Sequence, residues 1–241
     1  HDIGAPSRSS PAVAGGLVIA GNQEGRLTAV QARDGRRRWQ VAAADEISAA
    51  PMVADGLVVV GSWDGTVYAL RLEDGEQVWR FDADGAVAAA ASSADGLVYF
   101  GSDGQALFAV DLATGEQRWR CDLEAGIRTC PALADGLVVV GAMDGKTYAV
   151  SREDGALVWA HQTEDEILAS PAVAGEIVYV GSKDGSLYAL SLQDGAEQWR
   201  YSTSYAVYSS PATAEQMVVL GMQYYDVVAF TGQEFKPGAL T

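Results

Sequence analysis

The sequence predicts an all-β fold, a six-bladed β-propeller of four-stranded antiparallel blades with tryptophan-docking motifs. Three observations support this prediction. A 40-residue period runs through the 241 residues, apolar and polar residues alternate within each period, and Asp-Gly dipeptides separate the alternating runs. A fixed period in this range is typical of solenoids and propellers, in which each repeat needs its neighbours to cover its apolar faces.

Tryptophan marks the period most clearly. Five tryptophans lie 40 residues apart, at Trp39, Trp79, Trp119, Trp159 and Trp199. The same register repeats glycine at 21, 61, 101, 141, 181 and 221, and alanine at 29, 69, 109, 149, 189 and 229. Six repeats therefore account for residues 1–241 as a single domain. We expect each of these tryptophans to lie on the outermost strand of its blade and to pack structurally between neighbouring blades.

The second repeat shows the elements of one blade. Alternation predicts strands at about 47–53, 57–62, 66–72 and 76–82, separated by ADG, WDG and EDG. Asp-Gly adopts the positive φ angles of tight hairpin turns. Four short strands cannot bury both faces alone, so six blades are expected to close a ring. The sixth repeat is shortened after Ala229 and offers only Phe235 as its docking aromatic, so we expect the weakest joint there.

Composition narrows the functional classes. A net charge of −16 disfavours nucleic acid and anionic lipid as partners, and no apolar run is long enough to insert into a membrane. Cys121 and Cys130 are expected to be free thiols. The chain has only two histidines, His1 and His161, so no His-rich metal cluster is expected.

One segment carries a family resemblance. Residues 109–119 read AVDLATGEQRW and resemble the motif A-x-D-x-x-T-G-x-x-x-W of pyrroloquinoline quinone (PQQ)-like repeat propellers. The resemblance covers the whole chain, although Asp replaces Thr114 in four other copies. It implies one of two functions. Some members are quinoprotein dehydrogenases with eight blades, a quinone and calcium, whereas others are non-catalytic, like the barrel-assembly lipoprotein propeller and kinase-linked sensor propellers.

The residues favour the non-catalytic group. Calcium at a quinone site needs carboxylate and amide oxygens, but Asn22 is the only asparagine and the chain has no adjacent cysteine pair. The aspartates of the WDG, MDG and KDG segments are assigned to turns. We therefore predict a binding or sensor module of a larger bacterial protein, with no enzymatic activity, cofactor or metal. A quinone-binding oxidoreductase domain is the alternative, and the resemblance favours an extracytoplasmic location over the cytoplasm.

Positions that vary while their neighbours repeat are candidates for binding. The second-to-third-strand turns and the fourth-to-first-strand connections share one face, because antiparallel strands return to the same end. The turns present Trp63, Met143 and Lys183, together with Gln23 and Gln223, and the connections are rich in Asp and Glu. This face suits a basic protein or peptide partner. Alternatively, its acidic residues only confer solubility.

A second hypothesis concerns the channel of the predicted ring. The innermost segments carry one variable column: Arg8, Ser48, Ala88, Arg128, Leu168 and Tyr208. Arg8 and Arg128 are three repeats apart, on opposite sides of a six-fold ring. We predict a small anionic ligand between them, with Tyr208 stacking or donating a hydrogen bond, and with Glu46 and Glu166 excluding a larger anion. Alternatively, the arginines pair with these glutamates in a solvated rim.

Overall fold

The computed structural model describes residues 2–203, 205–214, 217–221 and 227–231. Every regular element in these ranges is a β-strand. The chain divides into two compact units, His1–Cys130 and Pro131–Thr241. Phe235 and Gln223, for which the sequence suggested roles, lie outside the described residues.

The first unit contains three four-stranded antiparallel sheets, which we call blades 1 to 3. Within each sheet, every strand pairs with the next one along the chain. The strands are β1 (Ala12–Ala14), β2 (Leu17–Gly21), β3 (Arg26–Gln31), β4 (Arg37–Ala42), β5 (Met52–Ala54), β6 (Leu57–Gly61), β7 (Thr66–Arg71), β8 (Gln77–Asp82), β9 (Ser92–Ala94), β10 (Leu97–Ser102), β11 (Ala106–Asp111) and β12 (Gln117–Asp122).

The second unit has the same organisation. Its described residues form two four-stranded sheets and one three-stranded sheet, blades 4 to 6. The strands are β13 (Ala132–Ala134), β14 (Leu137–Gly141), β15 (Lys146–Ser151), β16 (Leu157–Gln162), β17 (Ala172–Ala174), β18 (Ile177–Gly181), β19 (Ser186–Ser191), β20 (Glu197–Ser202), β21 (Ala212–Ala214), β22 (Met217–Gly221) and β23 (Val227–Thr231).

The hairpin turns follow from the dipeptides in the sequence. In the β5–β6 turn both Asp55 and Gly56 have positive φ, at 47° and 77°. A turn with two positive φ angles matches the right-handed twist of the flanking strands, which explains the preference for Asp-Gly. Asp95 and Gly96 repeat this geometry between β9 and β10.

The first strand of each blade is shorter than the sequence predicted. In blade 2 the strand begins at Met52 rather than at residue 47. The Ile47 amide donates instead to the Asn22 carbonyl of blade 1, at 3.0 Å, and Pro51 has no amide hydrogen to donate. Residues 44–51 therefore form a connection whose buried Ile47 packs over Gly21 at the end of β2.

Tryptophan side chains pack between consecutive blades within each unit. The Trp39 indole N–H donates to the Leu72 carbonyl at 2.8 Å, and the Trp79 indole donates in the same way to Leu112. Trp159 bonds Leu192 in the second unit, also at 2.8 Å. Each tryptophan is paired with an alanine of the third strand of its blade, as Trp39 is with Ala29. The third strand has a β-bulge directly after that alanine. The remaining two, Trp119 and Trp199, are buried and half-buried respectively.

Candidate functional site

One end of the sheets in the first unit carries the β2–β3, β6–β7 and β10–β11 hairpins. The connections between blades lie against these hairpins through backbone hydrogen bonds. The Trp63 amide donates to the Glu46 carbonyl at 2.9 Å, and the Asp103 amide donates to the Ala86 carbonyl at the same distance. This end of the blades, which we call the hairpin face, is therefore a joined surface of hairpins and connections.

Four side chains meet on the hairpin face, and we call them the Trp63 cluster: Ser48, Trp63, Asp103 and Arg128. The Trp63 indole N–H donates to the Ser48 hydroxyl at 2.7 Å. The Arg128 guanidinium lies 5.2 Å from the centre of the Trp63 ring. It also donates to both Asp103 oxygens, with Nη2 to Oδ2 at 2.7 Å and Nε to Oδ1 at 2.9 Å. These contacts fix an indole that stays 37% exposed.

The cluster changes the expectation for Arg128. The anion hypothesis uses its positive charge, but Asp103 already lies against that charge, so an incoming anion competes with an internal carboxylate. Arg8 is exposed, and among the described residues it forms no ion pair or hydrogen bond with the Trp63 cluster. Asp103 was missed from the sequence, although it occupies the position of Trp63 one repeat later.

The connection that bonds the Trp63 amide carries an acidic residue, Glu46. Glu46 is half-buried, and its Oε1 atom is buried with no hydrogen-bond partner among the described residues. A buried polar atom without a partner costs stability, so such an atom in a native protein needs an explanation.

The second unit has its own charged pair on the corresponding hairpin. Lys183 Nζ lies 2.8 Å from Glu166 Oε2, and this hydrogen bond raises the pKa of Lys183. Glu166 is therefore engaged with a hairpin residue of its own unit. Tyr208 is 51% exposed, and Met143 is half-buried.

The aspartates of the second-to-third-strand turns hold the backbone. Asp64 accepts hydrogen bonds from the Tyr68 hydroxyl at 2.8 Å and from the Ala44 amide of the preceding connection at 2.9 Å. Burial raises the pKa of Asp64, but the hydrogen bonds from Tyr68, Ala44 and Thr66 together hold it below its usual value. Asp184 makes equivalent bonds in the second unit, with Tyr188 and Glu164.

A second feature that sequence reasoning missed lies at the opposite end of the blades. Residues 33–38, in the turn between β3 and β4, read RDGRRR, and Arg33 and Arg38 line an open cleft of about 800 Å³. Comparing this turn in the 40-residue register would have revealed it, because the other copies have at most one cationic residue there, Arg118 in the third and Lys236 in the sixth.

The described residues contain no group of three or more His, Cys, Asp or Glu side chains placed to hold a metal ion. They also contain no helix long and apolar enough to cross a membrane.

The repeated blades, their interleaved tryptophans and their Asp-Gly hairpins define a β-propeller of PQQ-like repeats. Residues 8–232 match the family described as "Beta-alanine-activating enzyme, beta-propeller", and the chain belongs to that family. No curated protein matches the sequence.

Solved structures share the fold. The computationally designed Ika8 protein matches with a TM-score of 0.83 and 21% identity, over 92% of this chain and 70% of that one. BamB from Moraxella catarrhalis matches with a TM-score of 0.79 and 21% identity, over 93% of this chain and 72% of that chain. The quinohemoprotein alcohol dehydrogenase ADHIIG from Pseudomonas putida HK5 matches with a TM-score of 0.71 and 18% identity, over 84% of this chain and only 42% of that chain. At these identities the likeness shows the fold alone.

Proposed function

We propose that this propeller is a non-catalytic binding module that recognises a basic peptide or protein segment through the hairpin face of its first unit. The observation that carries the proposal is the exposed, immobilised Trp63 indole, in a residue whose backbone amide bonds the acidic connection at Glu46. The family description names a propeller belonging to an enzyme, so we further propose that the module works within a larger bacterial protein or assembly.

Trp63 suits the role of an anchor. An aromatic ring that is already held on one side by Ser48 and on another by Arg128 loses little conformational freedom when a partner covers it. Tryptophan residues dominate the binding energy of many interfaces for this reason and because of their large apolar area. A polar rim around the ring then supplies orientation.

Charge favours a basic partner. Glu46 is a half-buried carboxylate in a connection of the hairpin face, and a lysine or arginine of a partner could pair with its accessible part. The neighbouring connections carry exposed acidic residues, Asp45, Asp84 and Glu124. Their field attracts cationic segments and repels anionic ones.

We also propose that the two units complete a closed ring of six blades. The support is the 40-residue register, which assigns one repeat to each of the six sheets of the described residues. A crystal structure with eight blades completed by a second chain would contradict this proposal.

The alternative function is a quinone-binding oxidoreductase domain, and only the shared fold favours it. The test is an assay with pyrroloquinoline quinone, calcium, an alcohol and an artificial electron-accepting dye. We expect no turnover that depends on both quinone and calcium, and such turnover would establish the alternative.

The anion hypothesis for Arg8, Arg128 and Tyr208 stays a prediction. Thermal unfolding of the parent and of the variant R8A/R128A with organic anions tests it. Stabilisation of the parent alone by one anion would support that hypothesis over a basic partner.

The binding proposal is tested with peptides selected from a random phage-displayed library on the intact protein. We expect enriched peptides to contain lysine or arginine. Trp63→Ala should weaken their binding roughly 30-fold and Glu46→Gln roughly tenfold, because each removes a principal contact. Isothermal titration calorimetry measures both changes.

Leu157→Ala is the matched control, since Leu157 is a large apolar residue, 53% exposed, on a different surface. The affinity of this variant for the selected peptides should stay within about twofold of that of the parent protein, because Leu157 lies outside the proposed interface. Selection of acidic peptides, or equal binding to the parent and Trp63→Ala, would refute the proposal.

A further inference from the structure

A basic segment interrupts the repeat pattern in the first unit. Residues 33–38 hold four of the 16 Lys and Arg residues of a chain whose net charge is −16. The equivalent positions of the second repeat are Glu73, Glu76, Gln77 and Val78. Residues that break a repeat while their neighbours keep it are not needed for the fold, so this turn is a candidate for binding.

The segment borders an open cleft between blades 1 and 2, at the end of the sheets opposite the hairpin face. The cleft has a volume of about 800 Å³, within the range of small-molecule sites. Arg33, Arg38 and Arg71 line it, together with the apolar side chains of Leu17 and Leu72. Glu73 also lines it, so the cleft combines three guanidinium groups and one carboxylate with an apolar surface.

Glycines keep the cleft open. Gly16 and Gly56, at the β1–β2 and β5–β6 turns, both line it, and a Cβ atom at either position would meet nothing within 4 Å. Their positive φ angles, 76° and 77°, favour glycine over other residues. Because the turns need glycine at these two positions, no side chain from them enters the cleft.

Two of the arginines are oriented by their Nε atoms. Arg33 Nε donates to the Gln31 side-chain oxygen at 3.0 Å, and Arg38 Nε donates to the Glu73 carbonyl at 3.2 Å. No oxygen of the described residues accepts a hydrogen bond from the Nη atoms of either arginine. The Nη1 and Nη2 fork of a guanidinium matches the oxygens of a carboxylate or phosphate.

The third arginine has a different role. Arg71 Nη1 already pairs with Asp74 at 2.8 Å and with Glu76 at 2.7 Å. It forms part of the wall of the cleft, and its two carboxylate partners leave Arg33 and Arg38 as the groups with free Nη forks. Asp34 Oδ2 lies 3.5 Å from Arg33 Nε and pairs with that atom rather than with the fork. A long polyanion would extend over an acidic surface, so the charge distribution favours a small anion.

We infer that this cleft binds a small organic phosphate, with the phosphate group between the Nη forks of Arg33 and Arg38 and the organic part against Leu17 and Leu72. A phosphate dianion provides enough oxygens for two guanidinium groups. This site is separate from the Trp63 cluster, so its failure would leave the proposed function untouched.

Phenyl phosphate is the test probe, because it joins a phosphate to an apolar ring. Inorganic phosphate tests the contribution of the ring, and hexaglutamate tests an acidic peptide as the ligand. Titrations at low salt are followed by the backbone amide signals of Gly16 and Gly56 in ¹H–¹⁵N NMR spectra of the whole chain. We expect saturable shifts with phenyl phosphate and roughly tenfold weaker binding of inorganic phosphate, which lacks the apolar part.

The variants R33Q/R38Q and R36Q/R37Q remove the same charge from the same exposed turn. We expect R33Q/R38Q to bind phenyl phosphate at least about tenfold more weakly, because two charge-assisted contacts are lost. R36Q/R37Q should stay within about twofold, because Arg36 and Arg37 do not line the cleft. Circular dichroism checks that both variants are folded.

Four results would overturn the inference. They are equal loss in both double variants, equal affinity for inorganic and phenyl phosphate, tighter binding of hexaglutamate, and the lack of any saturable shift in the parent.

Discussion

Contacts between tryptophan and glycine hold consecutive blades together at the scale of single residues. Gly75, after β7, has a φ of 76°, and a Cβ atom there would lie 2.8 Å from Trp39 Cδ2. Gly56 has nearly the same φ, 77°, with nothing near its Cβ position. Comparing substitutions at the two glycines therefore separates the free-energy cost of the backbone conformation from the cost of a clash with the tryptophan.

We predict that Gly56→Ala lowers the free energy of unfolding by about 1 kcal/mol, since alanine is strained at positive φ. Gly75→Ala should lower it by a further 1–3 kcal/mol or so, because its methyl group displaces the Trp39 ring. Urea unfolding measures both values. Equal losses would show that the ring contact adds nothing to the stability.

The proposed recognition rests at the residue scale on Trp63, which lies outside this packing pattern. Trp39, Trp79 and Trp159 each bond the next blade of their own unit. Trp63 is instead 37% exposed and is held by Ser48 and Arg128. The same residue type therefore has a packing role at one repeat position and a proposed recognition role at another.

At the scale of elements, hydrogen bonds between an aspartate and a tyrosine stabilise the second-to-third-strand hairpins. In the second unit Tyr188 donates to Asp184 at 2.7 Å, and Asp184 also accepts the Glu164 amide at 3.0 Å. Burial and the Asp184 hydrogen bond raise the pKa of Tyr188 to about 12. The hairpin therefore links the tyrosine to the connection from the preceding blade.

This linkage predicts a dependence of stability on pH. Unfolded Tyr188 loses its proton above about pH 10, whereas the folded protein keeps it until about 12. Stability should therefore fall as the pH rises through this window. Tyr188→Phe should reduce that slope, measured by urea unfolding between about pH 9 and 11. Tyr208→Phe is the control at an exposed tyrosine, and an unchanged slope in Tyr188→Phe would contradict the prediction.

The joint between blades 1 and 2 is underfilled. Val41, on β4, borders a cavity of about 290 Å³ that is also lined by Val60 and Tyr68. At the equivalent joint Phe81 packs edge-on against Phe100 and Phe108, with ring centres 5.6 and 5.2 Å apart. A smaller residue in the same register thus leaves space that an aromatic ring fills one blade later.

We predict that Val41→Phe raises the free energy of unfolding by roughly 0.5–2 kcal/mol, as cavity-filling substitutions do. The reciprocal change, Phe81→Val, should lower it by about 1–3 kcal/mol. Thermal and urea unfolding measure the pair. Destabilisation by Val41→Phe would show that the cavity cannot accept a ring without moving its walls.

The fold was largely predictable at the scale of the whole molecule, because the 40-residue period fixes the sheets and their turns. The first strands were predicted too long because alternation does not show that Ile47 donates to Asn22 in another blade. The Trp63 cluster was predictable only in part. The register identified Trp63 and Arg128 as variable, but their contact links different repeats and depends on side-chain conformation.

The acidic composition gave an incomplete picture of the binding surfaces. A net charge of −16 describes the chain as a whole, and it conceals the basic turn at residues 33–38. Average charge excludes long polyanions over most of the surface. It does not describe a cleft that is lined by both Arg33 and Arg38.

The central claim is that the hairpin face of the first unit binds a basic segment. Hydrogen–deuterium exchange of the whole protein, with and without the tightest selected peptide, tests it most directly. We predict slower exchange confined to residues 44–49, 61–66, 101–104 and 126–129, which contain the Trp63 cluster and Glu46. Slower exchange confined to other parts of the chain, or no change at saturating peptide, would contradict the claim.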